Sequence, residues 1–188
     1  VFAAAGLVAD DLKHSSLQLY FSRPLTKKDY LLGKLSVIAF FVLVLTAVPW
    51  LILVVFKLIF AGNLEFLAAY PWLPLSILGY AALLAVFFGF YFLLLSASSR
   101  NARYVAILVF TTYLFSDVIS GILGGIFRTP YMALFSLRAN LMQAGAFLFG
   151  RKPPVAIPVY WSFAVLASIA VLALIVLDRR IRGVEVIK

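Results

Sequence analysis

Four apolar runs, each about as long as a bilayer is thick, fix what this chain can fold into. They occupy residues 35–56, 73–96, 104–127 and 159–177, and each is close to the roughly 20 residues a helix needs to cross a hydrocarbon core. Lipid offers a backbone no water to bond, so a spanning segment must satisfy its own N–H and C=O groups, which a helix does. The expected class is all-α, a polytopic transmembrane helical bundle that makes one transmembrane domain of residues 1–188. Composition excludes the soluble alternative: 65% hydrophobic and 12% charged residues leave too few polar side chains to cover a soluble core. Pro49 interrupts the first run and removes one helix donor, which predicts a kink there. Lys34 and Lys57 bracket that run, with stems long enough to reach both interfaces.

The formal charge of +9 does not read as a nucleic-acid stripe, because the basic residues fall between the apolar runs. One side of the predicted topology collects Lys13, Arg23, Lys27, Lys28, Lys34, Arg100, Arg103, Arg179, Arg180, Arg182 and Lys188. The other holds Lys57, Arg128, Arg138, Arg151 and Lys152. Short cytoplasmic loops retain Lys and Arg, so the first side, with the tail 178–188 and the C-terminus, is expected to be cytoplasmic in a cell (plasma or inner) membrane. Tyr70, Trp72, Tyr160 and Trp161 then fall at the outer interface, where amphipathic rings are favoured. With no Cys and one His, His14, a thiol or His-cluster metal site has no ligands to draw on.

Two shorter segments complete the topology. Residues 1–9 are apolar but too short to cross, and read as the end of a span that begins upstream. Residues 128–158 separate the third and fourth spans. Their central part, from Tyr131 to Gly150, is long enough to cross but carries Arg138, Asn140 and Gln143 in its middle. A crossing there would also move the cluster Asp178-Arg179-Arg180-Ile181-Arg182 outside. The expectation is an outer re-entrant or interfacial pair of short helices, ended by Gly150 and Pro153-Pro154.

Residues 10–34 form a cytoplasmic segment with its own grammar. Ser15 or Ser16 can cap a short helix on which Leu17, Tyr20 and Phe21 share a face, and Arg23-Pro24 ends it. Thr26 can cap a second helix, with Asp29 in capping-box position, that runs directly into the first complete span. On physical grounds alone this is either an interfacial helix lying among lipid phosphates or a docking element for a protein partner.

The run Leu17-Gln18-Leu19-Tyr20-Phe21-Ser22-Arg23-Pro24-Leu25-Thr26-Lys27-Lys28-Asp29-Tyr30-Leu31-Leu32-Gly33-Lys34 resembles the coupling segment in permeases of type 2 ABC exporters. That segment is a Leu-rich helical run followed by Ser-Arg-Pro, a hydroxyl residue, two basic residues, an acidic one and Leu-Leu-Gly-Lys. Many members carry Gly and an acidic residue where this chain has Ser16 and Gln18. The resemblance implies a six-span permease whose first span and most of whose second lie upstream. It further implies an ABC ATP-binding subunit as partner, docked through Leu17, Leu19, Tyr20, Phe21, Arg23, Pro24, Lys27 and Lys28, and a second permease copy in a homo- or heterodimer.

No Gly-rich phosphate loop of the form GxxxxGK[ST] occurs: Gly33-Lys34 is followed by Leu35, and Lys28 stands where the first Gly belongs. The chain is therefore expected to be no enzyme and to carry no cofactor, with ATP and Mg bound by the partner subunit. Within the spans Asp117 stands out, because a carboxyl at that depth needs a partner or a water-filled cavity. Ser116, Ser120, a Thr or an Arg from another helix are candidate partners, and a polar substrate contact is the functional alternative. Gly121 and Gly125 form a GxxxG pair suited to close helix packing, with Ser120 and Gly124 as a second small pair. The aromatic run Phe87-Phe88-Gly89-Phe90-Tyr91-Phe92 reads as packing or lipid contact before a substrate pocket. Three function classes remain: an ATP-driven permease, a non-transporting membrane scaffold that recruits a cytoplasmic partner, and a proton-coupled carrier using Asp117.

Overall fold

A computed structural model describes residues 27–99 and 101–185. Among them every regular element is helical: α1 (Lys27–Ala61), α2 (Glu65–Ala69), α3 (Leu73–Ser96), α4 (Ala102–Phe127), a 3-10 turn (Pro130–Phe135), α5 (Leu137–Leu148) and α6 (Val159–Glu185). Four of these, α1, α3, α4 and α6, are long and apolar enough to cross a membrane. The chain is a polytopic membrane protein.

The apolar runs map onto these helices with informative differences at their ends. α3 coincides with the expected run. α1 begins within the segment read as cytoplasmic and continues through Pro49 to Ala61, past the expected end at residue 56. Its 35 residues measure about 52 Å at 1.5 Å per residue, well beyond a core of ~30 Å. α6 likewise runs on through the basic residues after Leu177 to Glu185. Charged side chains do not stop a helix; they only stop it being in lipid.

Short connections make α1, α3 and α4 successively antiparallel, and the segment 128–158 returns to the level where α4 ends, so the ends of α1 and α4 and the starts of α3 and α6 lie together at the hairpin end. α3 is the hub, packed against α1 and α6 and touching α4 and α5. Its packing face repeats every fourth residue: Ile77, Ala81, Ala85, Gly89, Leu93 and Ala97 are all buried. Small side chains on that stripe let neighbouring backbones approach, the usual basis of helix association in lipid. A Cβ placed on Gly89 would lie 3.0 Å from Leu35 Cδ2 of α1. Phe87, Tyr91, Phe92 and Leu93 join Ile38, Val105, Val109, Leu141, Leu166 and Leu177 in one core. The Tyr91 hydroxyl donates to the Val109 carbonyl oxygen at 3.0 Å and meets the Thr112 hydroxyl, tying α3 to α4. At the hairpin end Tyr70, Trp72, Tyr160 and Trp161 are exposed, as an aromatic belt requires.

Candidate functional site

The polar chemistry inside the bundle gathers where α4 meets the start of α5. α4 ends at Arg128, whose left-handed φ of 51° and amide bond to the Gly124 carbonyl at 2.9 Å turn the chain sharply. The 3-10 turn then runs back alongside α4, delivering Ser136 to Asp117. Asp117 lies ten residues before the end of α4, about 15 Å along its axis. From there α5 returns towards the hairpin end. Its 12 residues cover about 18 Å, too short to cross, so residues 128–158 form a hairpin that dips beside α4 and comes back.

The turn at the bottom of the hairpin is held by an economical set of bonds. The Ser136 hydroxyl donates to Asp117 Oδ1 and accepts from the Ala139 amide at 2.8 Å, capping α5. The Ser116 hydroxyl accepts from the Leu137 amide at 3.2 Å and donates to the Tyr113 carbonyl at 2.7 Å. Two first-turn donors of α5, orphans in any helix, are thus satisfied, and the Asp117 carboxyl lies against the positive end of the α5 dipole. Asn140, one turn on and buried, donates through Nδ2 to the carbonyls of Leu134 (2.8 Å) and Ser136 (2.7 Å). Its Oδ1 and the Ser162 hydroxyl are buried without a partner among the described residues.

Further up α5, Gln143 replaces secondary structure for the loop that follows. Its Nε2 donates to the carbonyls of Val155 (3.1 Å) and Ile157 (2.8 Å), and its Oε1 accepts from the Val155 amide at 3.2 Å. The helix ends at Leu148, and Gly150 just past its cap, with a φ of 61°, permits a Schellman closure. The Gly150 amide bonds Phe147 O at 3.1 Å and the Arg151 amide bonds Ala146 O at 2.8 Å. At this upper end α5 is fixed to α3: the Ser76 hydroxyl donates to the Leu148 carbonyl at 2.7 Å. A Cβ on Gly145 would meet Tyr80 Cε2 at 2.9 Å, so only glycine fits there without displacing the ring.

Of the residues singled out from sequence, Asp117 and Ser116 come together at this junction, each on a different group of α5. Ser120 is half-buried and takes part in none of these bonds. Gly121 and Gly125 are exposed, with nothing within 4 Å of a Cβ at either, whereas Gly124 faces Met132 of the 3-10 turn at 4.0 Å. Leu17, Leu19, Tyr20, Phe21, Arg23 and Pro24, with His14, lie outside the described residues; Lys27 and Lys28 are the first residues of α1. Ser136 was not singled out from sequence: a serine ahead of a helix is an N-cap signal, but nothing local links it to Asp117. Gln143 was visible only as a polar residue opposed to a crossing. Among the described residues no group of three or more His, Cys, Asp or Glu could hold a metal ion. An apolar groove of about 390 Å³ opens between α3 and α6, lined in part by Phe87, Phe90, Phe163 and Leu166. No protein-family model, curated protein or solved structure matches this chain.

Proposed function

We propose that the chain is the membrane-spanning permease of an ATP-driven exporter of the type 2 ABC class. The observation that carries this reading is the run from Leu17 to Lys34, with its Ser22-Arg23-Pro24 break and Leu31-Leu32-Gly33-Lys34 end. Mechanics supports it: α1 starts at Lys27, inside that run, and continues without interruption to Ala61. A helix that overshoots the hydrocarbon core by about 20 Å is a lever. A push received before Lys27 reaches the α1–α3 contact within the bundle, where it can shift the balance between inward- and outward-facing arrangements. In this reading the partner is an ABC ATP-binding subunit that holds ATP and Mg, and docks on Leu17, Leu19, Tyr20, Phe21, Arg23, Pro24, Lys27 and Lys28. A second permease copy completes the pathway in the cell (plasma or inner) membrane, with the C-terminus cytoplasmic.

The test is reconstitution of the full-length permease with the ATP-binding protein that co-purifies with it, in liposomes, comparing wild type with Leu17→Asp/Tyr20→Asp. The expected result is that the wild-type permease changes the partner's ATPase rate and the double variant does not, while both remain folded. Absence of any associated ATPase, together with identical behaviour of the variant, overturns the reading. Association without any ATP-dependent change across the membrane points instead to a recruiting scaffold.

A further inference from the structure

α1 is one continuous helix, yet its two parts are held differently. Among its described side chains the buried ones, Tyr30, Ile38 and Ala47, all lie before Pro49, and Leu31, Leu35 and Val42 pack against the core. Over residues 48–61 none is buried. The register explains why. Leu35 meets Gly89 of the antiparallel α3, so Leu51, sixteen residues further along α1, stands level with Leu73, sixteen residues back along α3 and its first residue. Beyond that level the last ten residues of α1, about 15 Å, run on without α3 beside them.

This change of support coincides with the weakest turn of the helix. Pro49 has no amide to give the Leu45 carbonyl, and its ring crowds that group. The Thr46 hydroxyl donates to the Val42 carbonyl at 2.6 Å, which the helix also uses for the Thr46 amide, and back-bonding of this kind bends helices. Two carbonyls of one turn thus lose their ordinary helical bonding, and proline is where sharp bends form. Just past that turn the Trp50 indole stacks on the Phe149 ring, with centroids 6.1 Å apart. Phe149 caps the end of α5 and is held in place from α3 by Tyr80, edge-on at 5.9 Å. We infer that residues 50–61 are a flap at the hairpin end, pivoting on the turn 46–49 and latched by the stack of Trp50 on Phe149. Released, the flap swings off the tip of α5 while the part of α1 packed on α3 stays where it is. This goes beyond the transport reading and requires neither nucleotide nor an ATPase partner.

The sequence contains no cysteine, so spin labels can be placed in pairs once any cysteine elsewhere in the full-length protein is replaced. Phe60→Cys with Ile126→Cys relates the flap to the end of α4. Phe40→Cys with Ile107→Cys relates the part of α1 before the hinge to α4. All four residues are exposed. Distances are measured by pulsed electron–electron double resonance in lipid nanodiscs without nucleotide, and each single-cysteine protein alone supplies any distance between two copies. The flap predicts a major and a minor distance for the first pair and one distance for the second. Trp50→Leu and Phe149→Leu are each expected to raise the minor-to-major ratio about fivefold, the scale of one aromatic pair. Combined, they should raise it no further, because each removes the same stack. Pro49→Ala, which gives Leu45 back a donor, is expected to suppress the minor distance, both alone and together with Trp50→Leu. A single distance for the first pair in every variant, a ratio indifferent to both rings, or a minor distance unaffected by Pro49→Ala overturns the inference. An equal change in the second pair also overturns it, since α1 would then be moving as a whole. Because the assay contains no nucleotide, none of these outcomes bears on the ATPase reading.

Discussion

α1 and α3 lie side by side, and each carries a strongly apolar stretch, yet only 11% of that of α1 is buried in the bundle against 44% of that of α3. Hydrophobicity does not separate them, because lipid tails solvate Leu and Phe as well as a protein interior does. What separates them is size. α3 has a small-residue stripe through Ala81, Ala85 and Gly89, while α1 presents Phe40, Phe41, Leu45, Leu53 and Phe60 outward. Large apolar side chains such as Phe87 and Leu93 still fill the core, but the small residues mark the closest helix approach, and the large ones of α1 are left outward.

That comparison is easily broken. Ala85→Phe on α3 is expected to cost about 3 kcal/mol or to prevent folding, since overpacking a close helix contact forces backbone shifts. Leu45→Phe on α1 should change stability by less than about 0.5 kcal/mol. Unfolding midpoints in detergent measure both, and equal effects would mean the buried stripe is not the organising contact. Next in size is Gln143→Leu, which removes three bonds to the loop before α6 and should destabilise by about 2 kcal/mol. Its local readout is faster hydrogen exchange at the Val155 amide, and an unchanged exchange rate would show the loop is held by other means.

Asp117 and Ser136 sharpen the contrast between helices that pack by shape and one held by chemistry. Asp117→Asn keeps an acceptor for Ser136 and should be nearly silent, whereas Asp117→Leu should cost about 1 kcal/mol, the scale of a hydrogen bond between helices in a membrane. A double-mutant cycle with Ser136→Ala should show the two effects overlapping, because each removes the same bond. Strict additivity would place the Asp117 carboxyl in some other role. A smaller loss than that of Asp117→Leu is expected for Tyr91→Phe, about 0.6 kcal/mol, since Thr112 retains its own bond to the Leu108 carbonyl at 2.7 Å.

The sequence made the spans readable because length and apolarity are one-dimensional quantities. Leu73 and Ser96 bound α3 as the run of residues does, and the stretch that carries Arg138, Asn140 and Gln143 is not among the described helices long and apolar enough to cross. The start of α1 at Lys27 agrees with the helix expected after Thr26, whereas the ends were less readable: α1 passes residue 56 and α6 passes Leu177 because helix formation continues where lysine and arginine reach water. The partner of Asp117 was not readable. Its neighbours Ser116 and Ser120 share its helix, but Ser136 reaches it across a chain reversal of 19 residues, and no periodicity reports a reversal. Nor could spacing say that Gly124 would meet the 3-10 turn while Gly121 and Gly125 stay open.

The two attachments of α5 have a mechanical consequence. Its lower end is fastened to the middle of α4 through Asp117 and Ser116, and its upper end to the first turn of α3 through Ser76. A rigid rod joined obliquely between two upright members is the diagonal of a truss: it resists sliding of α3 past α4 along the membrane normal but leaves them free to rotate about its length.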